Sequence, residues 1–212
     1  MTKFPDAECE PYRASLGEIR RWVRGQHTKP QTQVPLAALD AEILQSLYAL
    51  GRKGDLIRRL EEPLEGTCEW LLVHPQYQRR IQSSQSEFLW ISADPGCGKS
   101  HLALYVARQL EKEQSFFRGH VVCSFLFQHD DEVWSMATVA LCDLLHQLLS
   151  SNPILIAHAV PEYKAKGDKL HNDLSAPWAI FTAVVGDGRC GPVICVSNAL
   201  DECSDPSRAL LI

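Results

Sequence analysis

The sequence predicts an α/β fold: a mainly parallel sheet with helices on its faces. Three observations predict it. Short apolar runs occur at residues 87–92, 121–127 and 193–197, each bounded by turn-forming residues. Segments of helical period separate them. The first run leads straight into a glycine-rich turn and then a helix. Strands that alternate with helices need crossover connections, and crossovers place the strands parallel.

Taken in order, residues 1–38 read as a weakly structured leader. The stretch at 25–35 has two prolines and no apolar period, and Leu16, Ile19, Trp22 and Val23 share one face of a short helix. Residues 39–86 read as a helical segment. Ile43, Leu44, Leu47 and Leu50 form one stripe, Gly51 interrupts it, and Leu56, Ile57 and Leu60 resume it. Thr67 is expected to cap a further turn with Trp70 and Leu71 inward, closed by His74 and Pro75. A polar stretch, 82–86, follows.

Residues 87–212 read as the main domain. The run at 87–92 is expected to be a buried strand. Residues 99–112 place Leu102, Val106 and Leu110 on one helical face, beside Ala103 and Ala107. The run at 121–127 is expected as the second buried strand. A helix over 135–149 has Val139, Leu141, Leu144, Leu145 and Leu148 inward, and helical stretches at 154–166 and 174–186 precede the third strand at 193–197.

Composition narrows the classes. Apolar residues make up 45% and charged residues 22%, enough for a packed core. A net charge of −5 supplies no basic field for nucleic acid, and no run is long enough to span a membrane. The eight cysteines form no CxxC pair, so reduced thiols and a cytoplasmic setting are expected, with Cys123 and Cys195 acting as small hydrophobes inside strands. The histidines have no metal-like spacing.

The chemistry lies in the turn after the first run, Ala93-Asp94-Pro95-Gly96-Cys97-Gly98-Lys99-Ser100. It matches G-x-x-x-x-G-K-[ST] except that Ala93 replaces the first glycine, a change that removes no phosphate donor. Successive main-chain N–H groups at a helix N-terminus hold phosphates, and glycines let the backbone approach without a Cβ clash. Asp94, Pro95, Gly96, Cys97, Gly98, Lys99, Ser100 and the following His101 are the candidate nucleotide-binding residues. Lys99 would reach the β- and γ-phosphates and the Ser100 hydroxyl would ligate Mg²⁺. The expected cofactors are therefore ATP or GTP with Mg²⁺.

The third run ends in Asn198-Ala199-Leu200-Asp201-Glu202-Cys203. A metal-side carboxylate is expected at the end of such a strand. The first candidate, Asn198, is an amide and carries no charge. A unit charge at ~4 Å and an effective dielectric of ~20 is worth about 4 kcal/mol before desolvation. Ser100, Asn198 and Asp201 are the candidate metal-side residues, and Asp201 and Glu202 the candidate catalytic carboxylates.

Together these residues resemble a NACHT-type nucleotide-binding domain of the STAND class, the P-loop signalling NTPases of NOD-like receptors. They are most similar to the fungal nephrocystin-type N-terminal domains. Four segments carry the resemblance: residues 65–75 (EGTCEWLLVHP), 89–100 (LWISADPGCGKS), 137–148 (ATVALCDLLHQL), and 193–196 with 199–203 (VICV, ALDEC). It runs from about Leu44 onward. The resemblance implies a three-layer P-loop NTPase sheet and a nucleotide-dependent switch that assembles as a homo-oligomer or with full-length relatives. Family members usually have Asp where this chain has Asn198, and keep the pair at Asp201 and Glu202. The family's sheet continues beyond the acidic motif, with a further strand between the phosphate-loop strand and the acidic one. This chain stops at Ile212 soon after the third run, so an incomplete sheet with unpaired edges is expected. Three functions stay open: a binding module with weak or no hydrolysis, a working Mg²⁺-dependent NTPase using Asp201 and Glu202, and a non-binding remnant that pairs with full-length relatives.

Overall fold

The computed structural model describes residues 38–48, 63–83, 85–112, 120–128, 133 and 135–203. The leader at 1–38 lies almost wholly outside them, as do residues 49–62, where the second half of the first helical stripe was expected. The chain divides into two compact units, one holding the described residues 63–97 and the other residues 38–48 and 98–203. Among the described residues no helix is long and apolar enough to cross a membrane.

The larger unit contains α1 (Ala38–Leu47), α4 (Lys99–Lys112), β1 (Val121–Leu126), α5 (Ala137–Ser151), α6 (Val160–Lys166), α7 (Ser175–Val185) and β2 (Val193–Asn198). It is mixed α/β and mostly helical. Its sheet has two parallel strands, with Val121 opposite Val193 and Leu126 opposite Asn198. A parallel pair needs cover on both faces. β1 receives it: residues 121–125 are all buried, Cys123 and Phe125 to 1% exposure. Cys123 and Phe125 join the main core, which α5 fills with Val139, Leu144, Leu145 and Leu148. α4, with Leu104, Val106, Ala107 and Leu110 buried, packs on both strands. The stripe read for α4 is thus nearly right, except that Leu104 is buried and Leu102 only half-buried.

Between α5 and β2 the chain runs through short 3₁₀ turns at Pro153–His158 and Gly167–Asn172, which flank α6. The turn before β2 is tied back to the first of these. Asp187 accepts from Arg189 at 2.5 Å and faces His158 Nε2 at 2.8 Å. The Arg189 guanidinium, helped by His158, holds the Asp187 carboxyl well below the usual carboxylate range.

The two edges of the sheet differ. Val121 N–H donates to Pro192 and Phe127 N–H to Asn198, so the odd-numbered residues of β1 face β2. The main chain of Ser124 therefore points to the opposite edge. There the Gln147 carboxamide accepts from Ser124 N–H at 2.9 Å and donates to Ser124 C=O at 2.9 Å. Asp143, one helical turn earlier on α5, accepts from the same amide at 2.6 Å. A side chain thus does for Ser124, midway along that edge, what a neighbouring strand would do.

The smaller unit has α2 (Glu69–Val73) and α3 (Pro75–Gln82). Thr67 does not cap α2: its hydroxyl donates to Leu64 C=O at 2.6 Å, and the cap position falls to Cys68. Leu71 is buried as expected, but Trp70 is exposed. His74 closes α2 as expected, its N–H donating to Leu71 C=O at 3.0 Å, and with Pro75 it also opens α3. The His74 ring nitrogen accepts from Gln76 N–H at 3.3 Å, and Pro75, lacking an N–H, suits the first helical position.

Two strand expectations need correction. Residues 87–92 belong to no helix or sheet among the described residues, and Phe88 and Trp90 are 79% and 68% exposed. An apolar run specifies a strand only when another strand supplies partners for its N–H and C=O groups. Among the described residues the expected three-stranded sheet is therefore a two-stranded one. β2 forms as expected but is only half-buried along most of its length, with Cys195 exposed rather than acting as core filler.

The contact with Ser124 makes a stability prediction. Gln147→Leu leaves a buried donor and acceptor at Ser124 without partners, and each costs about 1–3 kcal/mol. Urea unfolding of this variant is expected to show a loss of about 2 kcal/mol or more, with the Ser124 amide exchanging faster in hydrogen-exchange NMR.

Candidate functional site

The glycine-rich turn divides between the two units, whose boundary falls between Cys97 and Gly98. In the smaller unit, Asp94 to Cys97 form a turn in which Cys97 N–H donates to Asp94 C=O at 3.3 Å. Gly96 takes φ +80°, which an L side chain adopts only with strain. Asp94, Pro95, Gly96 and Cys97 are all exposed.

In the larger unit, Gly98 (φ +78°) opens α4 by accepting from Leu102 N–H at 3.0 Å. Lys99, Ser100 and His101 form the first helical turn and are half-buried. The N–H groups of a first turn lie outside the helix's own ladder, and the macrodipole there favours an anion.

β2 ends beside this turn. Asn198 is only 9% exposed, and its main-chain oxygen accepts from Phe127 N–H at 3.1 Å. Its side-chain Nδ2 donates to Ser100 Oγ at 2.9 Å. Two residues that stand 98 positions apart are thus joined directly. The next residue, Ala199, has φ 55° and ψ 44°, a left-handed conformation unusual for a residue with a Cβ. This reversal ends the strand and starts a 3₁₀ turn, Leu200–Glu202, closed by Glu202 N–H to Ala199 C=O at 2.9 Å. The turn buries Cys203 in the core and leaves Asp201 exposed and Glu202 half-buried.

Of the sequence-derived metal-side residues, the structure brings Ser100 and Asn198 together. Asp201 makes no hydrogen bond to either. Among the described residues no group of three or more histidine, cysteine or acidic side chains is clustered as a metal site. The described cysteines are all free thiols, and burial pushes the Cys142 thiol up to about 12, far from reactivity. Sequence reasoning missed both the Ser100–Asn198 bond and the strain at Ala199. A polar Gln147 four residues after Asp143, on a helix rich in leucine, was the available signal for the contact with Ser124.

With this geometry in hand, comparison with known proteins places the chain. A family model described as "Nephrocystin 3, N-terminal" matches residues 66–212. The vegetative incompatibility protein HET-E-1 of Podospora anserina is 30% identical over 138 residues, which cover 63% of this chain and 10% of that protein. The chain therefore spans about a tenth of the curated relative it matches. No solved structure matches.

The strained turn at the end of β2 makes its own prediction. Ala199→Gly relieves a left-handed conformation that disfavours a Cβ by roughly 1 kcal/mol. The variant is expected to melt at a higher temperature in calorimetry, and an unchanged or lower midpoint would show that no strain is held there.

Proposed function

The chain belongs to the Nephrocystin 3, N-terminal family, a NACHT-related domain with fungal relatives, and from that premise we propose that it is the nucleotide-binding module of a NACHT-type switch. The ligand is the polyphosphate tail of ATP or GTP. Main-chain N–H groups of Asp94, Gly96, Cys97, Gly98, Lys99, Ser100 and His101 hold it, with Pro95, which has no N–H, shaping the turn and the Lys99 ammonium as the charged partner.

The observation that carries this reading is the contact between Ser100 and Asn198. It sets the first turn of α4 at the carboxyl end of a parallel strand, the side of an α/β sheet on which ligands bind. The same contact, with α4 lying on both strands, supports reading β1 and β2 as part of a three-layer P-loop sheet. Turnover is weak or absent in this proposal, because the strand ends in an amide and Asp201 faces solvent. The module's partners are further copies of the chain or full-length relatives, whose assembly the bound nucleotide would govern.

A thermal-shift measurement tests the proposal. Ligand at 100 times its Kd stabilises the folded state by about 2.7 kcal/mol. Saturating ATP or GTP is expected to raise the melting temperature of the wild-type chain, and Lys99→Ala to lose that rise while melting normally without nucleotide. A wild-type chain that neither nucleotide protects would end the proposal.

A further inference from the structure

The resemblance implies Mg²⁺ at Ser100, Asn198 and Asp201, and the residues present do not suit it. Mg²⁺ takes oxygen ligands in near-ideal octahedral geometry and is held by one or two carboxylates together with substrate phosphates. Here the strand end presents an amide whose N–H₂ group is directed at the Ser100 oxygen, the atom the cation would need. A donor carrying partial positive charge at that point repels a cation. Rotating the amide to present its oxygen instead would engage the hydroxyl proton and still bring no negative charge.

Asn198 is also held in place. It is buried, it is anchored through its main chain to Phe127, and it is followed by the left-handed Ala199. The nearest acidic residue in sequence, Asp201, lies beyond that reversal, is exposed and makes no hydrogen bond to Ser100 or Asn198.

We infer that this site binds the polyphosphate of a nucleotide without a tightly held divalent cation, and that Asn198 is the residue that sets this preference. The inference rests on the proposed nucleotide site and concerns its specificity. The Asn198–Ser100 bond does the positioning that a shared metal would otherwise do: it orients the hydroxyl, while Lys99 and the main-chain amides balance the phosphate charge. With the uncharged Asn198 in place the site gains nothing from a bound cation, whereas a carboxylate in its place would repel the metal-free anion and attract the cation complex.

The test is isothermal titration of the full chain with ATP and with GTP, in excess Mg²⁺ and in excess EDTA. Wild type is expected to bind with nearly the same Kd in both media. Asn198→Asp is expected to bind more tightly with Mg²⁺ than with EDTA by roughly tenfold or more, the scale set by one added charge near the phosphates. A wild-type Kd that weakens roughly tenfold or more in EDTA would overturn the inference and leave the nucleotide site standing, as would an Asn198→Asp chain with no dependence on Mg²⁺. Absence of heat in both media would instead remove the nucleotide site itself. The wild-type comparison needs no variant, so a poorly folding Asn198→Asp chain leaves it decisive.

Discussion

The parallel ladder between Val121–Leu126 and Val193–Asn198 is the constraint on which the larger unit depends. Parallel strands cannot be joined by a tight turn, so the chain between them must travel out and back, and here it does so as α5, α6, α7 and the intervening 3₁₀ turns. A covered parallel strand must also be apolar on both faces, and β1 is buried along residues 121–125. The core forms where the returning helices meet that strand. Leu145, Leu148, Leu155, Leu170, Ile180 and Val184 are buried together with Phe125.

A two-stranded sheet has two edges, and the molecule treats them differently. On the β1 edge the main-chain groups of Ser124 are met by Gln147, itself held by Asp143. A carboxamide carries one donor group and one acceptor in the spacing of a peptide unit, so it can stand in for a piece of backbone. The β2 edge has no comparable device among the described residues, and its outward positions Cys195 and Ser197 are exposed. The same strand carries Asn198 at its carboxyl end, so the ladder that organises the core also delivers a side chain to Ser100.

Much of this was legible in the chain. Lys99–Lys112 coincides with the helix read from apolar spacing, and the inward residues of α5 were read correctly, because α5 repeats its leucines at three- and four-residue intervals. The glycines of the phosphate-type turn were legible too, and both Gly96 and Gly98 take positive φ. The run at 87–92 was not. Its Phe88, Leu89, Trp90 and Ile91 look like a buried strand, yet apolar content states only what a segment could bury, not what stands beside it. Thr67 failed as a cap for a related reason: its hydroxyl bonds back to Leu64 C=O, and the helix starts one residue later with Cys68 at the cap position.

The sequence by itself determined the local elements and the residue types at the site: a helix opened by Gly98 and Lys99, a strand ending in Asn198, and an amide where a carboxylate is usual. These follow from short-range spacing and from side-chain chemistry, which need no knowledge of the fold. Tertiary structure alone decided which apolar runs became strands, that Gln147 meets the main chain of Ser124, and that Asn198 reaches Ser100. Each of those depends on groups far apart in the chain meeting at hydrogen-bond distance, and sequence periodicity carries no information about distance in space.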